Sequence, residues 1–482
     1  MREPRNPFRT SRRRGWLALA AVSGVVLAAT AVPAHADATE PTDYLTIAAP
    51  WDLQLPAADA ESGTAIPRTL TLGVGHGNAD NNVTGGRLTV DASGLADVAA
   101  VTWPAACVPD GTAELTASCD FGAIGAGPST TVASLDLHAR TGAAAGASGL
   151  VHISASADTD FGPLDAEPMD VTVTIGSGPD LSLNQLPRLK GVAPDTDIPQ
   201  QLRLGNLGNQ TVDRTLLTFF ASHGLDFTNR YANCAYAADD DTANPTGTSV
   251  VCVVDEPARP GRTYDLSGAA AVHTRTAALY ERFDYSAQPY TDEAYQQALT
   301  GKDFVPGSGD RLTLEPEAAR RATGGADLDP DLDPGDNYRV TTIQAANTAD
   351  LKAVGAEVTG QPGDTVTTTV AVENDGPAWV ASLLAGEPAA LVDVTLPEGT
   401  TALTAPANCQ GGGRSFHCRT PIFLWEHHRS DFTFTVRIDS LAPANAPGSV
   451  SIVNSHYEPP VRDFDPDLSD NTAPITAGAA AE

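Results

Sequence analysis

Residues 349–377 read ADLKAVGAEVTGQPGDTVTTTVAVENDGP, and the reading of this stretch and its continuation to Thr476 decides the fold. Val366, Thr368, Val370 and Val372 share one face of an extended chain. Further on, Phe432, Phe434, Val436 and Ile438 face one way while Thr433, Thr435 and Arg437 face the other. Period-two alternation over such short runs predicts half-buried strands. Leu351, Leu391–Leu396, Ser449–Val453 and Pro474–Thr476 complete about seven short strands between regular turns. A strand cannot bury both faces alone, so two sheets must pack, and the expected unit is an immunoglobulin-like sandwich.

Two earlier stretches read as worn copies. One starts at Pro179-Asp180-Leu181 and closes at Asp336-Asn337; the other runs from about Asp43 to Ile175, with alternation at Leu70, Leu72 and Val74 and again at 151–155 and 171–175. Six cysteines mark the repeats as Cys107/Cys119, Cys234/Cys252 and Cys409/Cys418. Each pair occupies the same place in its repeat, so local disulfides are expected, each stabilising by about 2–4 kcal/mol. No C-x2-C spacing occurs, which argues against metal or redox cysteines.

The last repeat resembles the bacterial surface repeat called domain of unknown function 11. The residues that carry the likeness are Ala349-Asp350-Leu351, Pro362-Gly363-Asp364, Asn374-x-Gly376-Pro377, Leu396-Pro397-x-Gly399, the cysteine pair and Asp470-Asn471. The second repeat keeps Pro179-Asp180-Leu181, Asn206-x-Gly208 and Asp336-Asn337, and lacks the Leu-Pro-x-Gly turn. The resemblance implies immunoglobulin-like spacer or adhesive modules and no catalytic residues.

Residues 1–36 carry six Arg, an apolar run from Gly15 to Val32, and Pro33-Ala34-His35-Ala36 before Asp37. They read as a signal peptide, by the general secretory route or, through Arg13-Arg14, the twin-arginine route. Its removal would take the formal net charge from −31 to −36. So acidic a surface repels phosphate and excludes nucleic acid as a partner. No later apolar run is long enough to span a membrane. The expected organisation is therefore all-β: signal peptide 1–36, β-sandwich domains 37–177, 178–346 and 347–477, and a tail 478–482. A small helical insert is expected at about 280–322 of the second domain, where Thr291 precedes two acids as a helix N-cap.

Candidate sites are few. Asp327, Asp329, Asp331, Asp333 and Asp336, echoed by Asp463, Asp465, Asp467 and Asp470, offer hard oxygen ligands that would suit calcium. The EF-hand Gly and distal Glu are missing, and an acidic turn before the last strand explains the same residues. Tyr280, Tyr285, Tyr290 and Tyr295 in the insert would form either a contact surface or a cap over a sandwich edge. His417 and Glu426-His427-His428 lack the spacing of a zinc site. Gly73-Val-Gly-His-Gly77 stands where the other repeats have their Asn-x-Gly turn. No nucleophile motif occurs. The expectation is a secreted, non-enzymatic protein, extracellular or associated with the cell wall, with a structural or adhesive role. The alternative is a binding module for an extracellular protein or glycan, with calcium as its candidate cofactor.

Overall fold

The chain alternates apolar and polar residues over short runs throughout, and the computed structural model accordingly is almost all strand. It describes residues 43–58, 64–111, 114–238, 247–315, 331–381, 387–441, 446–453 and 461–479. The expected signal peptide, Asp327 and Asp329 lie outside these residues.

The third sandwich has one sheet in the order Leu351–Val354, Thr365–Asn374, Arg429–Ile438, Thr400–Thr404. Its second sheet runs Ala356–Thr359, Thr472–Gly478, Gly448–Val453, Leu391–Thr395, Ser415–Arg419, Cys409–Gly412. These ten strands exceed the seven expected, because the opening segment splits between the two sheets and the cysteine pair adds a hairpin. Phe432, Phe434, Val436 and Ile438 are all 0% exposed, as the alternation requires.

The first two sandwiches repeat the plan. In the first, Leu45–Ala48, Arg68–His76, Gly127–Ala139 and Ala99–Thr102 form one sheet. The second sheet orders Asp52–Pro56, Met169–Gly176, Ser148–Thr159, Val83–Asp91, Thr116–Phe121 and Cys107–Asp110, with Gly162–Asp165 added beside Ser148–Thr159. In the second sandwich a sheet of Leu181–Leu183, Arg203–Asn206 and Arg262–Asp265 faces a larger one. That sheet runs Leu189–Val192, Tyr338–Ala345, Tyr280–Pro289, Thr215–Ser222, Gly247–Val254, Cys234–Ala238, Val305–Pro306. In every sandwich an early strand lies parallel to the last one, while the remaining neighbours are antiparallel.

The repeats coincide at the level of single hydrogen bonds. Asn206 Oδ1 accepts the N–H groups of Asp180 at 3.2 Å and Gly208 at 3.1 Å. Asn374 Oδ1 does the same for Asp350 at 3.3 Å and Gly376 at 3.1 Å. In the first sandwich buried His76 takes the Asn place, and Gly77 donates to the Tyr44 carbonyl as Leu207 does to Asp180 and Asp375 to Asp350. The glycine-rich run at 73–77 is thus a strand end and its turn, as its position in the repeat implied.

Residues 280–289, grouped above with the insert, are a strand between two others, so the excursion begins at Tyr290. The expected helix is Asp292–Ala298, where Thr291 Oγ1 accepts the Ala294 N–H at 3.0 Å. A four-residue helix, Val461–Phe464, was not anticipated; its Phe464 joins the third core.

Candidate functional site

All three cysteine pairs, Cys107–Cys119, Cys234–Cys252 and Cys409–Cys418, form disulfides. Each bridge joins residues directly opposite one another on an antiparallel hairpin. The N–H groups of Cys107, Cys234 and Cys409 bond the carbonyls of Pro104, Tyr231 and Pro406, so the same turn enters each hairpin. Asn233 and Asn408 donate side-chain amides to the carbonyls of Val253 and Arg419, one residue past the second cysteine. The second cysteines, Cys119, Cys252 and Cys418, are buried and belong to the first, second and third cores. The six cysteines grouped among the candidate site residues therefore hold hairpins onto cores, and among the described residues no cysteine is free.

The sandwiches meet through buried polar groups. Arg68 opens the strand Arg68–His76 on the inward phase set by Leu70, Leu72 and Val74. Its guanidinium, 7% exposed, crosses to the second sandwich. There Nη1 lies 2.7 Å from Asp180 Oδ2 and Nη2 lies 3.3 Å from Asp333 Oδ2. Asp180 is fully buried. Burial pushes its carboxyl up to about 8, against the pull of Arg68, with Asp336, Asp331 and Asp333 adding to the rise. Burial and Asp333 push Asp336 up to about 6. Asp331 is also raised by burial, although it accepts the Leu181 and Asp333 N–H groups, each at 3.1 Å. The first acidic turn therefore serves a neighbouring arginine and its own backbone.

The second acidic turn is built alike. Asp465 accepts the Asp467 N–H at 3.1 Å and the Asn471 amide at 2.9 Å, and Asp467 accepts the Ser469 N–H at 3.0 Å. Burial, followed by the charges of Asp465 and Asp375, raises Asp350, and burial, followed by the charges of Asp350 and Asp467, raises Asp470. Exposed Asp463 lies in the short helix. Among the described residues no three His, Cys, Asp or Glu side chains are grouped to hold a metal ion.

At the second junction Glu281 occupies the inward phase of Tyr280–Pro289 with Phe283, Tyr285 and Ala287. It is 1% exposed and accepts four hydrogen bonds. Trp379 Nε1 of the third sandwich donates to Oε1 at 2.7 Å and the Leu279 N–H at 2.9 Å. The Gly224 N–H donates to Oε2 at 3.0 Å, and Ser222 Oγ donates to the same atom. A buried carboxylate is tolerable only when its lone pairs are met in this way. His223 stands edge-on to Trp379 and Trp425, at ring distances of 5.1 and 4.1 Å, and its Nε2 lies 3.8 Å from Glu426 Oε1. Burial would raise the Glu426 carboxyl, but bonds and charge from His223, its own backbone and the charge of His428 outweigh it and leave the group low. Leu279 belongs to the core cluster of the third sandwich, so apolar packing also continues across this junction.

The four tyrosines do not form one surface. Tyr285 is 1% exposed, and its hydroxyl accepts the Leu186 N–H at 2.8 Å and donates to the Asn184 carbonyl at 3.0 Å. Half-buried Tyr280 packs against the third core and accepts from the Gln344 amide at 3.0 Å. Tyr290 and Tyr295 do pair, with ring centres 5.9 Å apart, and the Arg214 guanidinium lies 3.8 Å over Tyr290. Between the helix end at Ala298 and the sheet face of Thr218, Phe220, Ser249, Val251 and Asp284 lies a groove of about 300 Å³.

The histidines are likewise dispersed. His417 bonds Asp393 across a ladder at 2.6 Å, apart from the turn that holds His427 and His428. Sequence reasoning missed Arg68, Asp180, Glu281, His223 and Trp379. The legible signal was a charged residue on the inward phase of a strand, at Arg68 and at Glu281.

No protein-family model and no curated protein matches the chain. Solved structures are similar only at low identity. The sixth cohesin from Acetivibrio cellulolyticus scaffoldin B, solved with a Cel5 dockerin, is 12% identical, covers 28% of this chain and 98% of its own, and has a TM-score of 0.20. A putative membrane anchored protein from Corynebacterium diphtheriae is 10% identical over 91% of this chain and 92% of its own, with a TM-score of 0.17. The complex of Dpr2 Ig1-Ig2 with DIP-Theta Ig1-Ig3 gives 7% identity over 90% of this chain and 100% of that one, with a TM-score of 0.23. Among the described residues no helix is long and apolar enough to cross a membrane.

Proposed function

We propose that the chain is a secreted, non-enzymatic spacer of three immunoglobulin-like sandwiches that holds its outer loops in fixed relative orientation at the cell envelope. The observation that carries this reading is the closing of both junctions by shared buried groups, Arg68 on Asp180 and Trp379 on Glu281. Neighbouring domains in one chain ordinarily meet through modest polar surfaces and move. Buried polar groups shared across a junction instead make separation costly, because each half would be left with a group that has lost its partner. The three disulfides accord with export, since such bridges persist in oxidising compartments. The family resemblance carried by Asn374-x-Gly376 and Asp470-Asn471 points the same way.

The test is a distance measurement between spin labels on the first and third sandwiches of the mature chain. A single narrow distribution, broadened by Trp379→Ala, is expected. A broad distribution in the wild type would overturn the spacer reading. Cell fractionation, with the chain expected in the culture medium or the wall fraction, tests its location.

A second reading, an extracellular binding module, is favoured by the Arg214–Tyr290–Tyr295 stack beside the groove under the helix. Ring faces and a stacked guanidinium are common contact groups. Deleting residues 291–304 should leave folding intact under this reading.

A further inference from the structure

The hairpin that carries the disulfide stands at the end of one sheet in every sandwich, and its outer strand is treated differently in each. In the second sandwich Val305–Pro306 pairs with the outer strand Cys234–Ala238, with Tyr236 opposite Val305 and Ala235 opposite Pro306. The Gly307 N–H then donates to the Cys234 carbonyl at 2.8 Å. Further along the same segment, Asn233 grips both backbone groups of Leu312. Its Oδ1 accepts the Leu312 N–H at 2.7 Å, and its Nδ2 donates to the Leu312 carbonyl at 2.9 Å. The chain itself therefore holds an extended segment seated on this edge.

Among the described residues the other two hairpins carry no such strand. They differ in whether they are able to take one. The opposed cysteines, with Cα atoms 3.9–4.0 Å apart, are a pair that exchanges no ladder hydrogen bonds. Their backbone groups, and those of the residue two places on, point away from the hairpin. In the second sandwich these places are Cys234 and Tyr236, which meet Gly307 and Val305. In the first they are Cys107 and Pro109, and proline has no N–H to offer. Ala106 stands there in the place of Asn233, so the gripping amide is missing too. In the third the two places are Cys409 and Gly411, and Asn408 precedes them. Asn408 donates to the Arg419 carbonyl as Asn233 does to Val253, and its side chain is otherwise exposed. Cys234 is 3% exposed under its added strand, while Cys409 is only half-buried. The third sandwich thus keeps the asparagine and the outward backbone groups that hold the added strand in the second.

Charge narrows the kind of segment that fits. The segment seated on the second sandwich carries three acids, Asp303, Asp310 and Glu315, against one arginine, Arg311. It runs antiparallel to Cys234–Ala238, so the residues before Val305 lie toward the hairpin tip. The hairpin Cys409–Arg419 has Arg414, His417 and Arg419 and no acid, in a chain of formal charge −31. His417 and Arg419 pair with Asp393 and Glu387. Arg414 stands at the tip, between Cys409–Gly412 and Ser415–Arg419, and forms no ion pair among the described residues. An antiparallel segment would bring the place of Asp303 toward this cation.

We propose that the outer edge of Cys409–Gly412 binds an extended acidic segment of a partner chain as an added antiparallel strand. Cys409 and Gly411 supply the backbone ladder, and Arg414 meets a carboxylate near the N-terminal end of the segment. The Asn408 amide holds the N–H and C=O of one residue further along, since its oxygen accepts and its nitrogen donates. An unpaired strand edge is a template for such addition. The first sandwich closes its own edge to this with Pro109, and the second fills its edge from within the chain.

The test uses the mature full chain and a fluorescein-labelled peptide with the sequence of residues 303–313, Asp-Phe-Val-Pro-Gly-Ser-Gly-Asp-Arg-Leu-Thr. Binding is read by fluorescence polarisation and located by amide hydrogen exchange. A peptide with both acids changed to Asn is the comparison. The acidic peptide should bind more tightly than the comparison, and salt should weaken it. Exchange should slow over residues 408–414 and stay unchanged over 233–238. Asn408→Ala and Arg414→Ala should each lower the affinity about fivefold or more. Should Asn408→Ala not fold, Arg414→Ala and the exchange of the wild type decide. Silence of the peptide at millimolar concentration, equal binding of the two peptides, or unchanged affinity in both variants would each overturn the proposal. So would slowed exchange over 233–238 alone, which would mean that the peptide displaces the chain's own segment. A free chain that dimerises with residues 408–414 already protected would make a second copy the occupant and overturn it too. Rigidity across the junctions is read by a different measurement, so the spacer reading stands or falls separately.

Discussion

The stability of this protein should fall as pH rises from 5 to 8, because of the carboxyl of Asp180. That group is fully buried at the first junction and is pushed up to about 8, while Asp336 beside it is pushed up to about 6. In the unfolded chain both titrate near about 4. Between the two values the folded state holds protons that the unfolded state has released. Their contribution is complete below about pH 4 and is lost as pH climbs through the folded values. At about 1.4 kcal/mol per unit, Asp180 accounts for about 3 kcal/mol between pH 5 and 8, and Asp336 for about 1 more. The assay is urea unfolding of the mature chain at constant ionic strength, followed by circular dichroism, across that range. Asp180→Asn carries no charge to lose and should flatten most of the slope, leaving the smaller part due to Asp336. The raised carboxyl of Asp180 exists despite the Arg68 guanidinium 2.7 Å away. Stability that is flat or rising over this range would refute the reasoning, since Arg68 would then hold Asp180 ionised and the pair would be a net stabiliser.

Trp379→Phe keeps the ring against Trp425 and removes the donor to Glu281, so it should cost about 1.5–3 kcal/mol in urea unfolding. Replacing Cys409 and Cys418 together by Ser should cost about 3 kcal/mol, and mass spectrometry of the unreduced wild type should show the local bridges Cys107–Cys119, Cys234–Cys252 and Cys409–Cys418 with none between sandwiches. Tyr285→Phe removes the hydroxyl that joins Asn184 and Leu186, and should cost about 1 kcal/mol in urea unfolding. Millimolar Ca2+ should leave the melting temperature unmoved, since Asp331 and Asp465 already accept backbone N–H groups; a rise of several degrees would favour calcium binding at the acidic turns instead.

The strands, the repeat and the bridges were legible because each rests on a local pattern: period-two alternation, a recurring Asn-x-Gly turn, and cysteines at one place per repeat. The junctions were harder because they depend on which faces of different sandwiches meet. Even so, phase carried part of the answer. Arg68 shares its phase with Leu70 and Leu72, and Glu281 shares its phase with Phe283, so both charges had to be buried and paired. The same phase places Tyr285 inside; grouping the tyrosines by number rather than by phase obscured it. His76 in the place of Asn206 and Asn374 was visible only as a position in a turn, since the residue types share no chemistry that a pattern would register.

In each sandwich an early strand lies parallel to the last, and this governs how the array would bear tension. A pull along the chain drags those two strands past each other along a common axis. Their ladder is then loaded in shear, and its bonds must break together; an antiparallel terminal pair would peel open one bond at a time. Five residue pairs are in register in the first sandwich and four in the third. The second has only Leu189 with Ile343 and Val192 with Ala345, with a register shift between them. Under load the middle sandwich is the one that yields first.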